Sequence, residues 1–322
     1  MKSIILACTA SGLALAGGAH AASFDCAKAA TPMEKVICTS PDLSRADDAL
    51  AAAFHKALGA LSSTGQTALR ANERDFLAYA AETCRRGQDI DGDCLSGLFS
   101  ERTDTLGHAV THLGGWTFVA LTSRRAGHSL TVQQIDSSGD TARDWNAWAQ
   151  SQIDTAYRLT GEISKDGTPV LDSSVIVVML VVSASPDLIG VTVDSSTSED
   201  AMGEIDNRYS AATWLTRPRR ELMAKDLFDP TKPWATALAP VAQRHLEGSD
   251  GEPDTRHKIK RIDQAGGQWQ VTAKGLRLTY DDWRSAGNGP GAESDLPWDE
   301  LKPYLRKDLP FAPAKIETAP DA

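Results

Sequence analysis

Five cysteines occur in the 322 residues, and four of them, Cys26, Cys38, Cys84 and Cys94, crowd into the first third of the chain. An even set confined to one short region predicts two disulfides, provided the chain reaches an oxidising compartment. The N-terminus supplies that condition. Lys2 precedes an uncharged run from Ile4 to Ala19, and Ala19-His20-Ala21 has the small-x-small form of a signal-peptidase site. Residues 1–21 therefore read as a signal peptide cut after Ala21, and the mature chain as a periplasmic protein. The run is too short and too diluted by Gly, Ser and Thr to span a bilayer. Cys8 has too little apolar sequence before it for a lipid anchor. "VIVVMLVV" (175–182) is the most apolar later stretch and has strand length, so no membrane span is expected in the mature chain. A zinc site built on the four cysteines would call for C-x-x-C spacing, which is absent.

The formal charge is −10, and it becomes −11 once Lys2 leaves with the signal peptide. A chain so acidic repels nucleic acid and anionic lipid and attracts basic partners.

Composition divides the sequence. The mature cysteines all precede residue 95, whereas the eight tryptophans all follow residue 115. "HLGGWTF" (112–118) lies on the divide with a Gly-Gly breaker. The expected organisation is a helical module over 22–112, an α+β domain over 113–311 and a flexible Pro- and Ala-rich tail over 312–322.

In the first half, Thr31 and Glu34 have capping-box spacing around Pro32, which predicts a short helix from 32 to 38. Leu43, Asp47, Leu50, Phe54, Leu58 and Leu61 step by three and four, with only Asp47 breaking the apolar pattern, and define an amphipathic helix; "SSTG" (62–65) ends it. Leu69, Phe76, Leu77 and Ala80 define a second, running to Cys84, and Leu95, Leu98, Phe99, Arg102 and Leu106 a third. Polar "RRGQDIDGD" reads as a loop. Two long helices joined by a short turn lie antiparallel, which would bring Cys38 to Cys84 and leave Cys26 for Cys94. That connectivity is favoured over the local pairs 26–38 and 84–94, although sequence alone leaves both open. Either set staples a slim helical unit with a meagre core.

In the second half, 116–122, 129–135, 175–182, "LIGVTVD", "NRYSAATWLT", "HKIKRID", "QWQVTA" and "LRLTYDDW" read as strands. "TARDWNAWAQSQIDTAYRL" (141–159), "TKPWATALAPVAQRHL" with a kink at Pro240, and "DELKPYL" read as helices. The fold class is thus a disulfide-stapled three-helix module followed by an α+β domain with an antiparallel sheet and two or three helices.

Two resemblances follow from these residues. "SFDCAKAATPMEKVIC", "DLSRADDALAAAFHKAL", "RDFLAYAAETC" and "DCLSGLFSERTDTL" together resemble the LprI-type lysozyme-inhibitor domain across 23–106. One departure is Asn72-Glu73-Arg74-Asp75-Phe76, where that family usually carries a Gln-Arg-x-Trp-like stretch. "ELMAKDLFDP" (221–230), "WQVTAKGLRLTYDDW" (269–283) and "DLPWDELKPYL" (295–305) look like the extracytoplasmic domain of RsiV-type anti-sigma factors, some of which sense lysozyme. The chain lacks that family's cytoplasmic segment and spanning helix. The resemblances imply a non-catalytic binding protein whose partner is lysozyme or another basic envelope protein.

The candidate contact residues are Asp89, Asp91 and Asp93, alternating in a loop tied at both ends by Cys84 and Cys94, where pre-ordering lowers the cost of binding. The Asp-x-Asp-x-Asp pattern is not an EF-hand, because Cys94 stands at the glycine position and Ser100 at the bidentate glutamate position. A second acidic run contains Asp194, Glu199, Asp200, Glu204 and Asp206. Trp283 and Trp298 flank a Gly-rich stretch and are candidate walls of a glycan or small-ligand groove, the alternative function. His108 and His112 lack the glutamate of HExxH, so no metal is expected. No Gly-x-Ser-x-Gly, Ser-x-x-Lys or Walker loop occurs, so no catalytic residue and no cofactor are assigned, and an unrecognised hydrolase ranks last.

Overall fold

A computed structural model of the chain describes residues 23–125, 128–161, 173–199, 205–247, 252–254, 257–265, 268–280 and 292–319. Residues 1–22, which include the expected signal peptide, Trp283 and its Gly-rich neighbours, and Asp200 and Glu204 lie outside them.

The helical part is α1 (Pro32–Thr39), α2 (Pro41–Gly59), α3 (Ser63–Thr83) and α4 (Gly92–Gly107). The capping box of α1 forms as expected: Glu34 N donates to Thr31 Oγ1 at 3.1 Å, and Thr31 N to Glu34 Oε2 at 2.8 Å. Between α3 and α4 the polar stretch is not a plain loop. Arg85–Arg86 (β1) and Asp89–Ile90 (β2) form a small hairpin, turned at Gly87 with φ of 65°.

That hairpin overturns the favoured disulfide connectivity. The bridges are Cys26–Cys38 and Cys84–Cys94. The hairpin returns the chain so closely that Asp91 N donates to Cys84 O at 2.8 Å, which sets Cys94 beside Cys84. Moreover α2 packs mainly along α4 and little along α3, so the expected antiparallel α2–α3 pairing does not carry Cys38 to Cys84. The core of this part holds Leu43, Leu50, Leu69, Phe76, Leu95 and Phe99, and also Val119 from the sheet that follows.

The rest is α+β. The large sheet has the order β3 (Val110–Leu113), β4 (Trp116–Arg125), β5 (His128–Ile135), β6 (Ser173–Ala184), β7 (Leu188–Glu199), β8 (Ile205–Thr216) and β9 (Arg219–Glu221). Its pairings are antiparallel except β5–β6, which run parallel over Ser129–Thr131 and Ile176–Val178. The connection between those two strands contains α5 (Asp140–Gly161), as a parallel crossover requires. Trp145, Ala149 and Ile153 of α5 bury against Val175, Val177, Met179, Val191 and Trp214.

After α6 (Ala224–Leu227), α7 (Trp234–Ala237) and α8 (Ala239–Arg244) comes a second sheet of order β10 (Leu246–Glu247), β13 (Ala292–Pro297), β12 (Gly275–Tyr280) and β11 (Trp269–Val271), with α9 (Trp298–Leu301) after β13. The expected single helix around Pro240 is broken at Leu238 into α7 and α8. "HKIKRID" forms no strand: Ile259 and Ile262, three apart, both turn inward, and a 3₁₀ turn begins at Ile262. The small sheet docks on the large one through hydroxyls. Ser183 Oγ donates to Val271 O at 2.6 Å, while Thr213 Oγ1 donates to Trp269 O at 3.1 Å and accepts from Val271 N at 2.9 Å.

The expected flexible tail is also corrected. Ile316 is 6% exposed in the core beneath the small sheet, and Glu317–Thr318 (β14) pair antiparallel with Ser183 and Ala184 of β6. An aliphatic side chain with somewhere to bury and a strand with unpaired backbone hold the tail down. Residues 320–322 lie outside the described part.

Candidate partner-binding surface

Both short disulfide loops meet at one end of the helical part. Val36 of α1 comes up to Gly92 at the start of α4, and Ile90 and Cys94 pack on the same core as Phe24, Met33 and Val36. The β1–β2 hairpin is thus closed by a bridge at its base and backed by α1.

The three aspartates divide. Asp91 is half-buried and caps α4, accepting from Cys94 N at 3.1 Å; its other oxygen lies 3.5 Å from Arg86 Nη2. Arg85 pairs with Glu82 at 3.5 Å. Asp89 and Asp93 are exposed and have no cationic partner among the described residues. Of the expected trio, therefore, two carboxylates face solvent and the third finishes a helix. The two arginines on the same hairpin give the surface mixed charge.

Farther along α3 and α4, toward β4, lies a buried polar network that spacing arguments did not assign. Arg102 is 1% exposed; its Nε donates to Glu73 Oε2 and its Nη2 to Asn72 Oδ1, both at 2.9 Å. Its guanidinium carbon lies 5.3 Å from the centroid of the Phe76 ring. Burial pushes the Glu73 carboxyl up and the Arg102 guanidinium down, and their pairing offsets both. The signal was present in the sequence: Arg102 occupies an apolar step of the third helix, a position an arginine takes only with partners. Nearby, Arg124 of β4 grips Glu101 at 2.6 Å, and the hydrogen bond holds that carboxyl below its usual range.

Other candidates resolve differently. The Trp298 ring lies 6.0 Å from Phe311 and its N–H donates to Thr272 O at 3.2 Å, so it packs a core; Trp283 lies outside the described residues. His108 ends α4, and His112 is exposed in β3 with Nδ1 3.0 Å from Thr117 Oγ1. No group of three or more metal-binding side chains occurs among the described residues. No described helix is long and apolar enough to cross a membrane. An open cavity of about 340 Å³ is lined by Lys225, Asp226, Arg306, Asp308 and Pro310, but its acids and arginines are committed to Arg220–Asp226 and Arg306–Asp308 ion pairs.

Residues 26–106 match the family described as lysozyme inhibitor LprI. Two solved structures are similar to the chain at low identity. One is a DUF3298-family protein from Bacteroides fragilis, at 11% identity and a TM-score of 0.40, covering 62% of this chain and 97% of that one. The other is a DUF3298-family protein from Pseudomonas aeruginosa PAO1, at 12% identity and 0.40, covering 60% and 95%. No curated protein matches the chain. The LprI-like region and its two disulfides together fit a protein that works outside the reducing cytoplasm.

Proposed function

We propose that this protein is exported to the periplasm, with residues 1–21 removed, and that it binds lysozyme or a similarly basic envelope protein without chemistry. The observation that carries this reading is the LprI match over residues 26–106, which contains both disulfide loops and the exposed Asp89 and Asp93. The charge of −11 left after removal of Lys2 supports it, because opposite net charges speed encounter. A hairpin bridged at its base loses little freedom on docking, so its carboxylates can enter a cationic cleft cheaply. In this proposal the second half is an RsiV-like extracytoplasmic domain that presents the module.

The test mixes the oxidised protein with lysozyme and follows cell-wall lysis. Inhibition with a Kd of roughly 10 µM or tighter is expected, equivalent to about 7 kcal/mol. Absence of both inhibition and complex at several times that concentration rejects the reading. Asp89→Lys with Asp93→Lys should slow association on the order of tenfold at low salt and much less at high salt, because such rim charges act mainly through screened attraction.

A further inference from the structure

The C-terminal residues occupy a place that the large sheet leaves open. β5 and β6 pair only as far as Thr131 and Val178. Beyond that point α5 takes the backbone of β5: Trp145 Nε1 donates to Gln133 O at 3.0 Å, and Asn146 Oδ1 accepts from Ile135 N at 2.7 Å. β5 peels away, and the Gln133 side chain reaches across to accept from Val181 N. The last residues of β6, paired on one side with Gly190 and Ile189 of β7, are left with a bare second side.

Residues 316–319 fill it. Thr318 and Glu317 sit opposite Ser183 and Ala184, and Ala319 N donates to Val182 O at 2.9 Å. Glu317 Oε2 accepts from Gly114 N at 2.9 Å, in the β3–β4 turn that forms the far wall. Trp116 Nε1 fixes that wall by donating to Ser185 O at 2.8 Å. Ile316 buries under the small sheet, and Ala319 packs against the α5 core. The slot therefore reads backbone along β6 and side chains at three points: an aliphatic, a carboxylate and a small residue. This is the division of labour seen in strand addition, where main-chain bonds give affinity and alternate side chains give specificity.

We propose that the gap between β5 and β6 is a peptide-binding slot, occupied in cis by the chain's own C-terminus and able to accept an extended segment of the same aliphatic–acidic–small pattern. The cis tail has the advantage of tethering, which raises its effective concentration toward the millimolar range. Exchange is accordingly blocked until the tether is cut or the tail is pulled away. This site is independent of the lysozyme reading, since none of its residues belongs to the helical part.

The experiment uses the full chain, folded with its tail in place, carrying a protease recognition sequence between Ala312 and Pro313. After cutting, the synthetic peptide Ala-Lys-Ile-Glu-Thr-Ala-Pro with a fluorescent label is added. Saturable uptake with displacement of the cut tail is expected, at least tenfold stronger than on uncut protein. Peptides with Ile replaced by Asp, or Glu by Ala, should bind at least fivefold more weakly. Retention of the cut tail against excess peptide, or its departure with no uptake of labelled peptide, overturns the proposal. Equal binding of the Ile-to-Asp and Glu-to-Ala peptides does so too.

Discussion

The side chain of Asn72 pairs with Thr122 as a neighbouring strand would: Nδ2 donates to Thr122 O at 2.8 Å, and Thr122 N donates back to Oδ1 at 3.4 Å. β3 covers β4 only from Trp116 to Val119, and Ala120 N still reaches Ala109 O. From Thr122 onward the edge of β4 is open, and an amide on α3 closes it. Open edges invite pairing with other chains, so this contact both joins the two halves and protects the sheet.

Asn72→Ala should therefore cost about 2–4 kcal/mol, because it strips one partner from buried Arg102 and leaves two Thr122 backbone groups unsatisfied. Urea unfolding followed by far-UV circular dichroism measures it. A loss under about 0.5 kcal/mol, the level of an ordinary surface change, contradicts this account.

Non-reducing proteolysis and mass mapping should find Cys26 joined to Cys38 and Cys84 joined to Cys94. Replacing Cys84 and Cys94 by Ser should lower stability by about 2–3 kcal/mol, as expected for a loop this short. It should also make the Gly87 turn a preferred site of proteolytic cutting. Recovery of a peptide pairing Cys38 with Cys84 would contradict the structure.

Arg220 donates to both oxygens of Asp226, at 2.8 and 2.7 Å, and together with Met223 N these bonds hold that carboxyl below its usual range. A depressed folded-state pKa stabilises the fold above the unfolded value, near pH 4, and that contribution is lost as pH falls through the folded value. Asp226→Asn should thus melt at a lower temperature than the parent at pH 7. The gap should narrow as the pH drops below about 4. A gap independent of pH rules out the ion pair as its source.

Gly114 has φ of 58°, and a Cβ there would run into the backbone of Ala184 and Ser185. Gly114→Ala should be destabilising by more than about 1 kcal/mol, beyond the cost of the left-handed conformation alone. Gly115 also has a positive φ but open space around it, so Gly115→Ala should cost less. The comparison of the two melting temperatures separates close approach from conformation.

Periodicity revealed the elements whose apolar residues face one core. The Leu43–Leu61 stripe, the α5 stripe of Trp145 and Ile153, and the apolar run of β6 all appear where their spacing puts them. Errors arose where a few backbone bonds outweigh side-chain pattern. The β1–β2 hairpin is two residues per strand with Ile90 its one apolar side chain, too little for a hydrophobic period, and with it went the disulfide pairing. In "HKIKRID" the alternation suggested a strand, but Ile259 and Ile262 are three apart and turn together. In the tail, Ile316 alone among Pro and Ala was the clue, and its binding place is built by distant strands. Of the candidate surface, the exposed Asp89 and Asp93 were legible, whereas the capping duty of Asp91 depended on where α4 begins.

Asp136, at the end of β5, accepts from Ser62 N at 2.6 Å and Gly65 N at 2.7 Å, so it finishes the first turn of α3 from far downstream. The LprI match ends at residue 106, yet the packing of the helical part does not. A fragment trimmed to the recognisable portion would arrive with a frayed α3, an empty seat where Val119 belongs and an Asn72 with nothing to hold. Anyone grafting the module onto another carrier needs to move the β3–β5 meander with it.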